Sequence, residues 1–392
     1  MTRRMAPLSL LVIALTLSCR SGTASDGRVV LPDLQTELRT LRQAGIPTTA
    51  EALQEPLPPP ERNAAPLYLE LASLLKSRPV SSDDKVATDF SSRGPLTADK
   101  ARRLRAALQH RSDIGRLIHR AAERPECVFT HQWSQGLETT FPELVNMRMA
   151  ARWISGESAL LLYDGKPLEA VRQLEAGFRI SGQLAKSRTM ICYLVHLAVD
   201  AITLAGMERI LYAAGSKPEV ARAVRSAVET RFPDMGPAHA LGADVYFVLN
   251  EMDKLRKEGP NTYDRAIKEF AKDESKAVWP ALAPGDRQNW NGFVDRVEVA
   301  IASNQASIIA AADLPFPQAN SAYQKVLAEV RAHDSDPTYV YARQLVPIWA
   351  PVISKRAMIA ARARSRCSGQ IRALSSSPRP TRPTMPRRRK RR

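Results

Sequence analysis

The chain has 392 residues, 44% of them hydrophobic, and a formal net charge of +17. This length and apolar content are sufficient for a folded core and even for two domains. Fourteen Lys and Arg residues and no acidic residue lie from Lys355 onward, so the rest of the chain is nearly neutral. This distribution argues against a folded nucleic-acid-binding domain, which clusters its basic residues on one face. We expect no specific nucleic-acid partner.

Residues 1–24 are typical of an export signal. Arg3 and Arg4 form a basic start, and residues 8–17 form an uncharged apolar run. A run of about ten apolar residues is too short for a membrane-spanning helix, which needs about 20. The order of a basic start, an apolar run and small residues predicts that the mature protein leaves the cytoplasm.

The end of this signal allows two alternatives. In the first, residues 16–19 (Thr-Leu-Ser-Cys) are a bacterial lipobox, and Cys19 becomes the lipidated first residue of the mature chain. In the second, an ordinary signal peptidase cuts after Ala24, and the protein is secreted without a lipid. The first alternative places the protein on the periplasmic face of the cell membrane, with the membrane as its partner through the lipid anchor.

Residues 25–62 form a proline-rich lead-in. Leucines at helical spacing predict a short amphipathic helix that ends at Gly45, as helices often do. Residues 56–60 (Pro-Leu-Pro-Pro-Pro) predict extended, rigid chain. Asn63, followed by Ala-Ala-Pro, predicts the start of the next helix.

Residues 63–364 are predicted to form one helical domain. Apolar residues recur at helical spacing, and Gly and Pro fall mainly between the segments. A polar loop is expected at 78–96, followed by a helix that opens at Thr97 and continues through Ile118. No alternating run of β-branched residues with hairpin signals occurs. The fold class is therefore expected to be all-α, with stacked antiparallel helical hairpins in a partly solenoid-like arrangement.

Residues 151–184 resemble a single tetratricopeptide repeat. Small or apolar residues stand where that repeat packs two helices closely, namely Ser158, Gly165, Ala170, Leu174 and Gly177. The resemblance implies a pair of antiparallel helices, and a generic helical hairpin is the alternative.

Several short motifs extend the comparison over about residues 30–350. They are GIPTT at 45–49, PPERNAAPLY at 59–68, CVF at 127–129 with Trp133 and Gly136, and the helical block 144–184. In these motifs the chain resembles a group of uncharacterised exported helical proteins from planctomycete-like and related bacteria. The resemblance implies an exported helical protein and no known chemistry.

Two of the four cysteines, Cys127 and Cys192, lie in the predicted domain. In an oxidising compartment they could form a disulfide, and two buried thiols that pack as small hydrophobic side chains are the alternative. Neither has a second Cys or a His at zinc-ligand spacing, and no glycine-rich nucleotide motif occurs. The sequence therefore predicts neither a metal nor a cofactor.

The stretch from Pro125 to Thr140 holds the densest cluster of unusual side chains outside a predicted helix. Cys127, His131 and Trp133 form our candidate ligand loop, because loops on rigid scaffolds often carry function. The simpler alternative is an ordered loop that aromatic side chains, Phe129 and Trp133, fix onto the helices.

Two functional hypotheses follow. The first is a lipid-anchored helical scaffold or binding protein of the bacterial cell envelope, with a protein or peptide partner on a concave helical surface. The alternative is an envelope hydrolase with its site near the 127–140 loop. Its carboxylates would be Glu138, Glu143 and Glu157.

Two further features have structural interpretations. His196 and Asp200 are four residues apart on one helix face, which predicts a hydrogen-bonded pair buried between helices. Residues 365–392 are basic and lack the apolar content to fold, which predicts a disordered tail.

Overall fold

The structure is a computed structural model that describes residues 33–90, 95–214, 216–230, 236–265, 268, 281–312, 314, 316–332 and 336–338. It is 77% helical, and the only β pairing in the described ranges is an isolated bridge between Asn63 and Glu126. The prediction of an all-α fold is therefore confirmed. The export signal, Cys19 and the basic tail lie outside the described residues.

The described helices are numbered in chain order. They are α1 (Leu34–Gln43), α2 (Ala50–Leu53), α3 (Ala65–Ser77), α4 (Lys85–Thr88), α5 (Ala98–His110), α6 (Ser112–Glu123), α7 (Glu143–Tyr163), α8 (Pro167–Ala185), α9 (Met190–Ala214), α10 (Pro218–Glu229), α11 (Gly236–Ala240), α12 (Gly242–Glu258), α13 (Pro284–Gln288), α14 (Trp290–Ala312) and α15 (Phe316–Ala332). A 3₁₀ helix, Trp133–Glu138, lies between α6 and α7.

The lead-in packs onto the helical domain. Helix α1 ends at Gln43, and Gly45 follows with a φ of 77°, a conformation that glycine adopts without strain. Leu38 and Leu41 of α1 are buried in a cluster that also contains Val245 of α12. The first helix of the chain therefore contributes to a core formed by helices much later in the sequence.

The single helix predicted from Thr97 through Ile118 is wrong. Thr97 does cap α5, accepting a hydrogen bond from the N–H of Lys100, but the helix stops at Arg111, where φ is −111° and ψ is 40°. The change of direction allows the apolar residues of α5 and α6 to reach one core cluster. The predicted 78–96 loop also contains the short helix α4.

The largest core cluster contains side chains from α7, α8 and α9, and these helices pack against one another. Residues 164–166 connect α7 to α8, and residues 186–189 connect α8 to α9. Connections this short make consecutive helices antiparallel neighbours. The finer prediction of a solenoid-like stack stays a prediction.

Helix α9 is notable for its hydrophobicity. Among the described helices it is long and apolar enough to cross a membrane, with a mean hydropathy of 1.7 over its most apolar window. Of that window, 61% is buried inside the fold. A core helix of a soluble protein meets the same criteria, and α9 packs against α7, α8 and α10.

Candidate functional site

The loop after α6 is held to the start of α3 by one side chain. The amide of Asn63 donates to the carbonyl of Val128 at 3.0 Å and accepts from the N–H of Val128 at 2.9 Å. The N–H of Ala64 also donates to the carbonyl of Glu126 at 2.7 Å. Because the Asn63 oxygen accepts from the N–H of Ala65 as well, this residue both fixes the loop and satisfies a donor at the start of α3.

Aromatic rings hold the rest of the loop against the helices. The ring centroid of Phe129 lies 6.5 Å from that of Tyr68 in α3, and the ring of Trp133 stacks on Phe247 of α12 at 6.2 Å. Between them, His131 lies 4.8 Å from Trp133. Phe129 and Trp133 thus fix the loop, as the simpler alternative predicted, and in doing so they shape a cavity behind it.

This cavity has a volume of about 250 Å³ and lies between the loop, the end of α2, the start of α7 and the turn that joins α8 to α9. The volume corresponds to roughly eight water molecules at about 30 Å³ each, which is room for a small organic molecule. Its walls are largely apolar and include Leu53, Phe129, Trp133, Leu144, Met147 and Leu184. The three residues of the candidate ligand loop, Cys127, His131 and Trp133, all line it.

Cys127 and Cys192 both line this cavity, and the structure has them as free thiols. Burial raises the pKa of both thiols, that of Cys192 to about 11, and the carboxylate of Glu143 raises both further. Both thiols therefore stay protonated at neutral pH, and neither is an activated nucleophile. A disulfide and two buried thiols were the alternatives for this pair, and the choice between them is left to experiment.

His131 and Glu143 form a polar contact in the cavity wall. His131 Nε2 lies 3.0 Å from Glu143 Oε1, and the two side chains are 12% and 4% exposed. Because Nε2 faces a carboxylate, we assign the proton to it, which makes Nδ1 an acceptor in the neutral ring. Nδ1 is buried and has no hydrogen-bond partner among the described residues, so a donor group on a ligand would satisfy it.

Arg188 is the cavity residue that the sequence analysis missed. It lies in the turn between α8 and α9, and its carbonyl accepts a hydrogen bond from the N–H of Ala243 at 3.0 Å, which fixes the turn to α12. Its side chain lines the cavity, and its Nε is buried without a hydrogen-bond partner in the described part of the chain. The polar run Lys-Ser-Arg-Thr between two apolar helices was the signal that could have indicated it.

Of the three carboxylates named for a hydrolase, only Glu143 reaches the cavity. Glu138 ends the 3₁₀ helix and is exposed. Glu157 accepts from Trp153 Nε1 at 2.9 Å and lies 2.9 Å from His119 Nε2, and this hydrogen bond raises the pKa of His119. The three carboxylates that were near one another in sequence therefore serve different parts of the fold.

The predicted pair His196 and Asp200 is buried between α8 and α9, and a third residue bridges it. The hydroxyl of Ser181 donates to Asp200 Oδ1 at 2.7 Å and lies 2.8 Å from His196 Nδ1. A serine that sits between the His and the Asp cannot act as a nucleophile activated by that His, because in such triads the imidazole lies between the other two. This cluster holds two helices together.

Within the described ranges, no group of three or more His, Cys, Asp or Glu side chains is placed to hold a metal ion. Comparisons of the chain with family models, curated proteins and solved structures find no match. The resemblances to a tetratricopeptide repeat and to the exported bacterial group therefore stay predictions.

Proposed function

We propose that this chain is an exported helical binding protein of the bacterial cell envelope, anchored to the membrane through a lipid on Cys19. We further propose that it takes a small ligand into the cavity behind residues 125–133. The observation that supports the binding role is the composition of the cavity, whose wall combines apolar and aromatic side chains with charged and polar groups at fixed positions. Small-molecule sites in proteins are built in this way.

The polar groups of the wall distinguish this cavity from a packing defect. His131 Nδ1 and Arg188 Nε are both buried without a hydrogen-bond partner among the described residues. Leaving such a group unsatisfied costs about 1–3 kcal/mol. A ligand that satisfied both would recover that free energy in addition to the burial of its apolar part.

Binding can be tested with a small amphipathic probe, 3-phenylpropan-1-ol, followed by the thermal denaturation temperature. We expect the probe to stabilise the wild-type protein and the variant Cys127→Ser, because a ligand that binds only the folded state raises its stability. The variant Cys127→Phe, which fills the cavity from the loop, should not be stabilised.

Two outcomes would contradict the binding role. One is that all three proteins are stabilised equally, because the probe would then bind elsewhere. The other is that none is stabilised although circular dichroism shows them folded. Cys127→Ser is the matched control, since it removes the thiol and leaves the volume open.

The anchor can be tested by intact mass spectrometry of the protein made in a bacterial host with its signal. We expect a mature chain that begins at Cys19 and carries diacylglycerol, and we expect Cys19→Ala to lose that mass. A wild-type chain that begins at Ser25 without lipid would show that the protein is secreted and has no lipid anchor. A chain that keeps its first residues would overturn export.

The contact between His131 and Glu143 favours one second candidate, an envelope hydrolase acting at the same cavity. A His oriented by a carboxylate can act as a general base toward water. The cavity thiols are protonated at neutral pH, so such an enzyme would not use them as nucleophiles. Release of soluble fragments from purified cell walls by the wild type but not by Glu143→Gln would support this candidate over binding alone.

A further inference from the structure

We propose that the ligand of this cavity is a small carboxylate with an apolar or aromatic body, and that Arg188 binds its carboxylate. This inference rests on the proposed function, because it names the chemical class that the cavity accepts.

The basic residues of the wall have partners, with one exception. Arg62 pairs with Glu126 at 2.6 Å. Lys186 donates from Nζ to the carbonyl of Pro125 at 2.9 Å. Arg188 makes no ion pair with a carboxylate and no side-chain hydrogen bond among the described residues, although its Nε is buried. Because Arg188 is only half-buried, its positive charge is accessible at the wall, and its buried Nε–H is left without an acceptor, so an anion at this place would be favoured.

The acidic residues of the wall limit that anion to one negative charge. Glu143 lies in the cavity beside His131, and Glu55 lines it without an ion pair among the described residues. A third carboxylate of the wall, Glu126, is paired with Arg62, and the other two would repel a dianion such as a phosphate monoester more than a monocarboxylate. A carboxylate also matches the planar guanidinium fork, which can donate two parallel hydrogen bonds to it.

The surroundings of Arg188 add neutral donors. Ser187 and Thr189 line the cavity on either side of Arg188 in the chain, and their hydroxyls lie 3.1 Å from each other and hydrogen-bond the thiol of Cys192. The N-terminal end of α9 follows directly at Met190, and this end of a helix carries a partial positive charge. The turn therefore combines a cation, two hydroxyl groups and a helix dipole on one side of the cavity.

The remaining walls suit the body of the ligand. Phe129, Trp133, Leu144 and Met147 present apolar surface, and a volume of about 250 Å³ is enough for one aromatic ring on a short chain. The acceptor Nδ1 of His131 could additionally take a hydroxyl or amino group. The ligand is therefore a free small molecule.

The test compares two probes that differ in one group, 3-phenylpropionate and 3-phenylpropan-1-ol, by isothermal titration calorimetry. We expect the wild type to bind the carboxylate about tenfold or more tightly than the alcohol, because hydrogen bonds to charged groups are the stronger ones. Arg188→Gln should remove this preference and keep the binding of the alcohol. Lys186→Gln, which removes the same charge from the same turn, should keep the preference.

The outcomes distinguish failure of the carboxylate inference from failure of the proposed binding role. If the wild type binds both probes equally, the carboxylate inference is overturned and the binding role stands. If it binds neither, the proposed function itself fails. If Lys186→Gln and Arg188→Gln lower the preference equally, the effect is general attraction and Arg188 is not the anchor. Tighter binding of phenyl phosphate than of phenylpropionate would overturn the restriction to a single charge.

Discussion

Helices α8 and α9 pack in two different ways along their length. Along the pair the backbones approach closely, and a Cβ atom at Gly177 would lie 2.5 Å from Oγ1 of Thr203. There the buried hydroxyl of Ser181 has partners in the neighbouring helix. At the connected end, the turn that contains Arg188 borders a cavity, and a buried nitrogen of that residue has no partner among the described groups.

The difference separates two kinds of buried polar group, those bonded between two helices and those in the wall of a cavity. The hydroxyl of Ser181 finds its partners within the fold, in Asp200 and His196, and this contact joins two helices. His131 and Arg188 lie in the wall of a cavity, each with a buried nitrogen that has no partner among the described residues, and this position is the basis of the proposed binding role. Substitutions can test the two regions separately, the close contact between α8 and α9 and the surroundings of the turn at their connected end.

The largest effect is expected from Gly177→Ala. The added methyl group would meet Thr203, whose hydroxyl is itself bonded to the carbonyl of Val199 at 2.9 Å, so neither side chain can move easily. Overpacking of this kind costs about 1–3 kcal/mol, and we expect about 2–3 kcal/mol less free energy of unfolding. Urea denaturation measures it.

The control for this prediction is Gly285→Ala, where an added Cβ atom meets nothing within 4 Å. It should leave stability within about 0.5 kcal/mol. Because Thr203→Ala removes the atoms in conflict, the double variant should lose less than the sum of the two single losses. Strict additivity would show that α8 and α9 are not in close contact at this position.

A smaller, pH-dependent effect is expected beside the turn, at Asp244 in the first turn of α12. Burial raises the pKa of this carboxyl from 3.8 to about 7, so the folded state favours the protonated form. Stability is therefore lost as pH rises from about 4 to about 7 and stays low above that. Asp244→Asn cannot ionise, so it should be roughly 1–2 kcal/mol more stable than the wild type at about pH 8.

The difference between Asp244→Asn and the wild type should shrink toward zero at about pH 4, where the wild-type carboxyl is protonated in the folded protein. Denaturation at several pH values measures this directly. A difference that is constant with pH would show that ionisation of Asp244 does not govern it.

The smallest effect concerns the two thiols of the cavity. A disulfide between Cys127 and Cys192 would contribute about 2–5 kcal/mol. With both as free thiols, Cys127→Ser should change stability by less than about 1 kcal/mol, equally with and without reductant. Alkylation of the unfolded protein without reductant, followed by peptide mapping, should label both Cys127 and Cys192. Protection of both cysteines from alkylation would establish the disulfide.

Local sequence patterns predicted much of the fold because their causes are local. The cap at Thr97, the turn at Gly45 and the helical spacing of apolar residues each depend on a few neighbouring positions. The break at Arg111 was missed because it contains neither Gly nor Pro, and the apolar spacing continues across it. It is decided by the core that α5 and α6 share.

The site was predictable only in part for the same reason. The density of Cys, His and Trp indicated the loop, and all three residues line the cavity. Glu143 and Arg188 come from α7 and from the turn after α8, and no spacing rule relates them to His131. That these three residues line one cavity depends on how three separate segments of the chain pack.

The hydrogen bonds between Asn63 and Val128 also bear on how the chain folds. The two residues are 65 positions apart, so these bonds cannot form until the chain between them has folded back. The cavity is complete only when segments between residues 53 and 192 have packed together, so a molecule that binds there would stabilise the folded chain over the unfolded one.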